Sequence, residues 1–199
     1  MSNTEHLAAA NQYLKSELGQ HAPAELRFER VFDEQPLEGE GPVSLFSFEL
    51  ALGGGNAQCP VEVRRHYVVA GQTRSNYFPA YSFDADDAYS FHIGTLFMVA
   101  MPVSRIDDAD EPPGARESLK NLTRAYSAAA TIGAPELAAL FRCDDAVFAV
   151  YRVPVDGRMV YGMGADCPPG FYELTDHPPQ TALRLHLGKV IREEARSGL

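Results

Sequence analysis

The chain contains no tryptophan and only three cysteines, and its 17 lysine and arginine residues are outnumbered by 27 aspartate and glutamate residues. The resulting formal net charge of −10 gives the protein a long-range field that repels nucleic-acid phosphates and anionic membrane surfaces. We therefore expect neither nucleic acid nor a membrane as a partner of this acidic protein.

The three cysteines do not indicate a covalent or metal-held framework. Cys59, Cys143 and Cys167 are odd in number, widely spaced and without a CxxC pair, so the sequence encodes neither a set of disulfides nor a zinc knuckle. The chain also lacks an apolar run of about 18 residues, and residues 1–7 show no basic region followed by an apolar stretch. These absences predict a cytoplasmic protein whose thiols are reduced.

Motifs of catalysis and of cofactor binding are missing as well. The patterns GxSxG, HExxH and GxGxxG are absent, and the glycines at 53–55 are not followed by the GK[ST] residues of a phosphate-binding loop. We interpret those glycines as a hairpin turn. The acids at 84–87 do not have the spacing of a calcium-binding loop. The sequence therefore predicts no cofactor and no metal, and it favours a binding protein over an enzyme.

The residues that are present are typical of a folded protein. Hydrophobic residues make up 45% of the chain and charged residues 22%. We expect residues 1–199 to form a single α+β domain. If the chain divides, the division falls in the acidic loop at 106–114, which contains Pro112 and Pro113.

Hydrophobic periodicity predicts the order of elements. Apolar residues recur at helical spacing over residues 4–18 and after Pro178, which predicts a helix near each end of the chain. Between them, alternation with a period of two predicts three strands between residues 26 and 69, and Asp156-Gly157 predicts a hairpin between two further strands. We predict a mainly antiparallel sheet of five to six strands, packed by N-terminal, middle and C-terminal helices.

The middle of the chain is harder to assign. Residues 89–101 favour a helix, but their apolar positions also alternate, so helix and strand both remain open. We expect a loop at 71–83, a helix from Ala115 to about Gly133, and a short helix that begins at Pro135.

The richest group of polar and aromatic residues lies between residues 64 and 92. Histidines, carboxylates and aromatic rings together could form a pocket for a ligand. The candidate ligand-binding residues are Arg64, His66, Tyr77, Tyr81, Asp84, Asp87 and His92. The alternative interpretation is structural, with the aromatic rings in the core and the two aspartates at the start of a helix. Arg65 has the strand parity of apolar neighbours, so we expect it to be buried and paired with one of the acids at 84–87.

A second feature is a basic row on the predicted middle helix. Arg116, Lys120 and Arg124 recur at every fourth position and therefore lie on one side of that helix. In an acidic chain this row could receive an acidic segment of a partner, and compensation by the chain's own acidic loops is the alternative. We keep these three as candidate partner-binding residues.

These features predict a non-catalytic acidic protein that binds a protein partner, as a chaperone, an adaptor or an inhibitor, and that forms a homodimer through open strand edges. The order of elements is similar to that of small acidic secretion chaperones, and the resemblance implies pairing as dimers and binding of an effector segment, as in the type III members. Two alternatives stay open: a ligand-binding domain with an aromatic pocket, and a small enzyme that uses His66 or His92 with a carboxylate.

Overall fold

The computed structural model describes residues 2–34, 36–52, 62–78, 84–107, 110–126, 131–164 and 170–198. Within these ranges the chain forms four α-helices and nine β-strands, and the strands make two antiparallel sheets. The α+β class with N-terminal, middle and C-terminal helices is confirmed. The single sheet of five to six strands was wrong, because a four-stranded and a five-stranded sheet take its place.

The first half of the chain is a helix, four strands and a second helix. The elements are α1 (Asn3–Leu18), β1 (Arg27–Phe32), β2 (Val43–Leu52), β3 (Glu62–Ala70), β4 (Ser75–Phe78) and α2 (Ala85–Ala100). The strands are hydrogen-bonded in chain order, β1-β2-β3-β4. β4 lies where the sequence predicted only a loop, and α2 resolves the open assignment of residues 89–101 in favour of the helix.

The second half repeats this order after one short strand. The elements are β5 (Ser104–Ile106), α3 (Ala115–Tyr126), β6 (Glu136–Cys143), β7 (Ala146–Val155), β8 (Arg158–Gly164), β9 (Gly170–Tyr172) and α4 (Pro179–Ser197). The strands again pair in chain order, β5-β6-β7-β8-β9. The predicted hairpin is confirmed: Asp156 and Gly157 connect β7 and β8 and both have positive φ angles, 48° and 78°.

Two predictions in this half are corrected. The short helix after Pro135 was wrong, because Glu136–Cys143 is the strand β6 between β5 and β7. Leu140 and Phe141 belong to two different apolar clusters, so neighbouring residues bury opposite faces of one sheet. The helix from Ala115 is described as far as Tyr126, and residues 131–133 lie outside any helix, so it does not extend to the predicted end near Gly133.

The first sheet is covered on both faces. Phe46 and Phe48 of β2 pack with Leu14 of α1, whereas Val43 and Leu45 belong to the cluster that contains residues of α2 and α4. This division follows from the alternation of side chains along a strand. The same large cluster includes residues of the second sheet, so the two sheets contribute to a continuous core.

The helices α2 and α4 cross at two glycines. A Cβ atom on Gly94 would overlap the carbonyl oxygen of Arg184, and a Cβ atom on Gly188 would overlap that of Ser90. Each glycine thus approaches the residue that lies four positions before the other glycine. This reciprocity is what a twofold relation between the two helices produces, and only glycine allows so close an approach.

The two halves of the chain therefore share the order helix, four strands, helix, with β5 as an additional strand in the second sheet, and we interpret them as an internal repeat. When Gly94 is aligned with Gly188, the segments Phe91-His92-Ile93-Gly94 and Leu185-His186-Leu187-Gly188 correspond. In both units the histidine is buried and its Nδ1 lies within hydrogen-bonding distance of a residue of the unit's fourth strand: Asn76 for His92 and Tyr172 for His186.

Candidate functional site

The structure separates the predicted ligand-binding residues into distinct places. His66 and Tyr77 are brought together on the α1 side of the first sheet, with Arg64 partly buried on β3. His92 lies on α2, and its partner Asn76 has the strand parity opposite to Tyr77. Tyr81 lies outside the described residues. The predicted set is thus not one pocket, and of its described members Tyr77 alone lines the cleft described below.

Asp84 and Asp87 have structural roles at the start of α2. The Asp84 carboxylate accepts a hydrogen bond from the Asp87 backbone N–H at 2.9 Å, which is the capping interaction expected at a helix N-terminus. Asp87 forms an ion pair of 2.6 Å with Lys189 of α4. The structural interpretation of these two acids is supported by these contacts.

Arg65 is not the buried residue that strand parity predicted. It is exposed on β3, as is Val63, which retains 59% of its surface. Near the amino end of β3, the buried side chains are those on the other face of the strand. His66 lies on that face, which α1 covers. The predicted ion pair between Arg65 and the acids at 84–87 was wrong.

His66 and Tyr77 form a buried polar contact among aromatic rings. The Tyr77 hydroxyl lies 2.7 Å from Nδ1 of His66, and Phe48 stacks on the imidazole with ring centroids 5.7 Å apart. Burial, followed by the charge of Arg64, lowers the pKa of His66. Burial, followed by the neighbouring Tyr13, raises the pKa of Tyr77 to about 12. Both effects favour the uncharged forms at neutral pH.

His92 connects the sheet to a buried carboxylate. Its Nδ1 lies 2.9 Å from the amide nitrogen of Asn76, and its Nε2 lies 3.8 Å from a carboxylate oxygen of Glu40. Glu40 also accepts a hydrogen bond of 2.5 Å from the Thr73 hydroxyl. Burial alone would raise the pKa of Glu40, but the contacts with His92 and Thr73 outweigh it and hold this pKa below its usual value.

A cleft of about 490 Å³ opens between α1, β4, α2 and the first turns of α4. Its apolar walls are formed by Tyr13, Tyr77, Phe91, Met98 and Val99. Tyr77 and Asn76, the partners of the two buried histidines, both line this cleft. The histidines themselves are 3% and 0% exposed, so they lie behind the cleft wall, in contact with these two residues.

The cleft also holds three charged side chains. Arg74 follows the turn before β4, Arg184 projects from α4, and Glu17 lies on α1. Burial, followed by the nearby charge of Arg74, lowers the pKa of Arg184. Among the described residues, no carboxylate lies within ion-pair distance of either arginine.

In the basic row, the charge of Arg116 is compensated by a carboxylate of the chain itself. Arg116 donates two hydrogen bonds of 2.6 Å to the carboxylate of Glu111 and one of 2.8 Å to the backbone carbonyl of Pro135. The Tyr151 hydroxyl also donates to Glu111. The side chains of Lys120 and Arg124 lie outside the part that the structure describes, so their role as partner-binding residues stays a prediction.

Sequence reasoning missed three residues that shape this site: Tyr13, Glu40 and Arg184. Tyr13 lies on α1, Glu40 in the connection between β1 and β2, and Arg184 on α4, so no local spacing connects them with residues 64–92. One sequence feature points to the region of Arg184. The first turn of α4 has no acidic residue, although acids are usually favoured there. The described residues contain no group of three or more histidine, cysteine, aspartate or glutamate side chains arranged to hold a metal ion.

None of the described helices is both long and apolar enough to cross a membrane. Comparison of the chain with protein-family models, with curated proteins and with solved structures finds no significant match.

Proposed function

We propose that the protein is a non-catalytic binding protein that takes a small molecule with an aromatic or apolar body into the cleft between α1, β4, α2 and α4. The observation that carries this proposal is the wall of Tyr13, Tyr77, Phe91, Met98 and Val99 around a volume of about 490 Å³. Small-molecule sites are concave and combine apolar walls with polar groups that orient the ligand.

The positions of the histidines favour binding over acid–base catalysis. A general acid or base must come within hydrogen-bond reach of the reacting atom. His66 and His92 are separated from the cleft by Tyr77 and Asn76, to which they are hydrogen-bonded. Their role in the proposed site is to orient these two side chains, so they are positioning residues.

The neutral fluorescent probe N-phenyl-1-naphthylamine tests the proposal, because it presents an aromatic body without a charge. We expect saturable binding with one site per chain. The variant Val99→Trp places an indole on the cleft wall and should weaken binding at least about fivefold, or about 1 kcal/mol. The matched control is Val63→Trp on β3, since Val63 and Val99 are 59% and 60% exposed.

The control variant should keep the wild-type dissociation constant. Equal affinity of the Val99→Trp and wild-type proteins would place the probe elsewhere and contradict the proposal. Absence of saturable binding to the wild type would do the same.

Binding of a protein partner or a second copy is the other candidate. One observation favours it: β1 is the edge strand of the first sheet, and Phe28 and Val31 on it are 45% and 41% exposed. Sedimentation equilibrium at high micromolar concentration tests the homodimer, and Val31→Lys should dissociate a dimer that pairs through this edge. A protein that stays monomeric under these conditions would contradict the homodimer.

A further inference from the structure

Two grooves flank the crossing of α2 and α4, and the internal repeat relates them. The first is the cleft described above. The second groove has about 500 Å³ and combines the first turns of α2 with the carboxyl-terminal half of α4. Alignment of Gly94 with Gly188 gives three equivalent pairs: Asp86 with Gln180, Asp87 with Thr181, and Ser90 with Arg184.

The second groove is neutralised by the chain itself. Arg192 donates hydrogen bonds of 3.0 Å to Glu34 and to Asp86, and one of 2.8 Å to the Ser90 hydroxyl. Lys189 pairs with Asp87 at 2.6 Å. Both of these cations, one of them 4% exposed, therefore have carboxylate partners in this groove.

The equivalent positions in the cleft reverse this arrangement. Gln180 and Thr181 stand where the second groove has two aspartates, and Arg184 stands where it has a serine. The Nε atom of Arg184 is buried and has no hydrogen-bond partner within the described ranges. Arg74 adds a second positive charge, whereas Glu17 is exposed and is farther than ion-pair distance from both guanidinium groups.

We propose that the cleft binds an anionic ligand whose carboxylate or phosphate group lies between Arg74 and Arg184 at the amino end of α4. This inference rests on the proposed function and adds the chemical class of the ligand. These two guanidinium groups have no carboxylate partner among the described residues, and they provide the bidentate donors from which such anions accept hydrogen bonds.

The helix adds to the same preference. α4 begins at Pro179 with no side-chain cap and no acidic residue in its first turn, so the dipole at its amino end favours a negative charge nearby. An anion would also supply the acceptor that Arg184 Nε lacks. On a chain of net charge −10, a local surplus of positive charge beside an aromatic and apolar wall selects for an anion with an apolar body.

A matched pair of probes tests the inference. 8-Anilino-1-naphthalenesulfonate has nearly the same aromatic body as N-phenyl-1-naphthylamine and carries one additional sulfonate. We expect the wild type to bind the sulfonate at least about tenfold more tightly. The preference is the dissociation constant of the neutral probe divided by that of the sulfonate probe. This ratio should fall several-fold in Arg184→Gln and in Arg74→Gln, and in the double variant the two dissociation constants should agree within about twofold.

The control variant is Arg196→Gln, which removes an exposed arginine from the second groove. It should keep the wild-type preference for the sulfonate. Arg74→Gln changes an exposed residue, so its result remains decisive if Arg184→Gln folds poorly. Inorganic phosphate and benzoate, at an ionic strength matched with sodium chloride, should displace the sulfonate probe, and the stronger competitor identifies the preferred anion.

The outcomes separate this inference from the proposed function. If the neutral probe binds in the cleft but the sulfonate binds no more tightly, the anion site is wrong and the small-molecule cleft stands. A preference that survives loss of both arginines, or a sulfonate that neither phosphate nor benzoate displaces, would equally overturn the anion site. If neither probe binds the wild type, the proposed function falls, and the inference with it.

Discussion

Gly94 of α2 and Gly188 of α4 face each other where the two helices cross, and each allows the carbonyl oxygen of the opposite helix to occupy the space of a Cβ atom. This contact joins the two repeated units and fixes the grooves on either side of it. The cleft therefore depends on how closely α2 and α4 approach.

We expect Gly94→Ala and Gly188→Ala to lower the free energy of unfolding by about 2 kcal/mol or more each. Alanine would gain about 1 kcal/mol of helix propensity, but its methyl group meets a backbone atom, which no rotation of a side chain can relieve. Urea denaturation measures the change. Val99→Ala, on the exposed side of the same helix, is the control and should not destabilise. Equal stability of all three variants would contradict the close crossing.

Arg192 and Arg196 contact the same carboxylate of Glu34 from different environments. The Arg192 side chain is 5% exposed and also binds Asp86 and Ser90, whereas the Arg196 side chain is 59% exposed. Arg192→Met should lower the free energy of unfolding by about 1–3 kcal/mol, since charged hydrogen bonds in a buried site are lost. Arg196→Met should cost less than about 1 kcal/mol, because exposed ion pairs are weak. A reversed order in chemical denaturation would refute this assignment.

Glu40 should stabilise the fold only while it is ionised. Its pKa is held below the usual value, so its contribution is complete above about pH 4.5 and is lost as the pH falls through the folded-state pKa. Glu40→Ala should lower the free energy of unfolding at pH 7 by about 1–3 kcal/mol, and by less below pH 4.5. The exposed Glu38→Ala is the control and should change stability by no more than about 0.5 kcal/mol. A Glu40 effect independent of pH would argue against the ionised carboxylate.

His186 should make stability sensitive to mild acid. Burial, followed by the charge of Lys189, lowers the pKa of this histidine from 6.5 to about 4. The unfolded chain therefore takes up the proton first, so stability should fall by about 3 kcal/mol as the pH drops from 6.5 to about 4. His186→Gln removes this dependence. The difference in the free energy of unfolding between the variant and the wild type, measured at pH 8, should therefore become smaller as the pH is lowered. Parallel pH profiles of the two proteins would show that the histidine does not titrate in this way.

The elements predicted correctly are those whose signals are local. Asp156-Gly157 specifies its hairpin through turn chemistry, and the apolar stripe through Leu183 and Leu187 specifies the C-terminal helix. The spacing of Leu137, Leu140 and Phe141 misleads because it fits one side of a helix. In the strand, Leu140 and Phe141 lie on opposite covered faces and Leu137 is exposed. Only the pairing with β5 and β7 decides between helix and strand.

The cleft could be predicted only in part. Tyr77 was selected from a local cluster that does contribute to the wall, but Tyr13 and Arg184 join it through tertiary packing alone. The internal repeat was also missed, because its clearest sequence trace is a histidine and a glycine, two residues apart, shared by Phe91–Gly94 and Leu185–Gly188. Once the two helices are superimposed in this register, the contrast between the two grooves becomes visible.

The most direct test of the account is the mapping of amide chemical shifts in the ¹⁵N-labelled full chain during titration with 8-anilino-1-naphthalenesulfonate. Binding in the cleft predicts that the largest shift changes occur at Tyr13, Tyr77, Val99, Thr181 and Arg184, the residues that line it. Changes centred instead on Asp86 and Glu193 of the second groove, or on Phe28 of the β1 edge, would contradict the assignment of the cleft as the ligand-binding site.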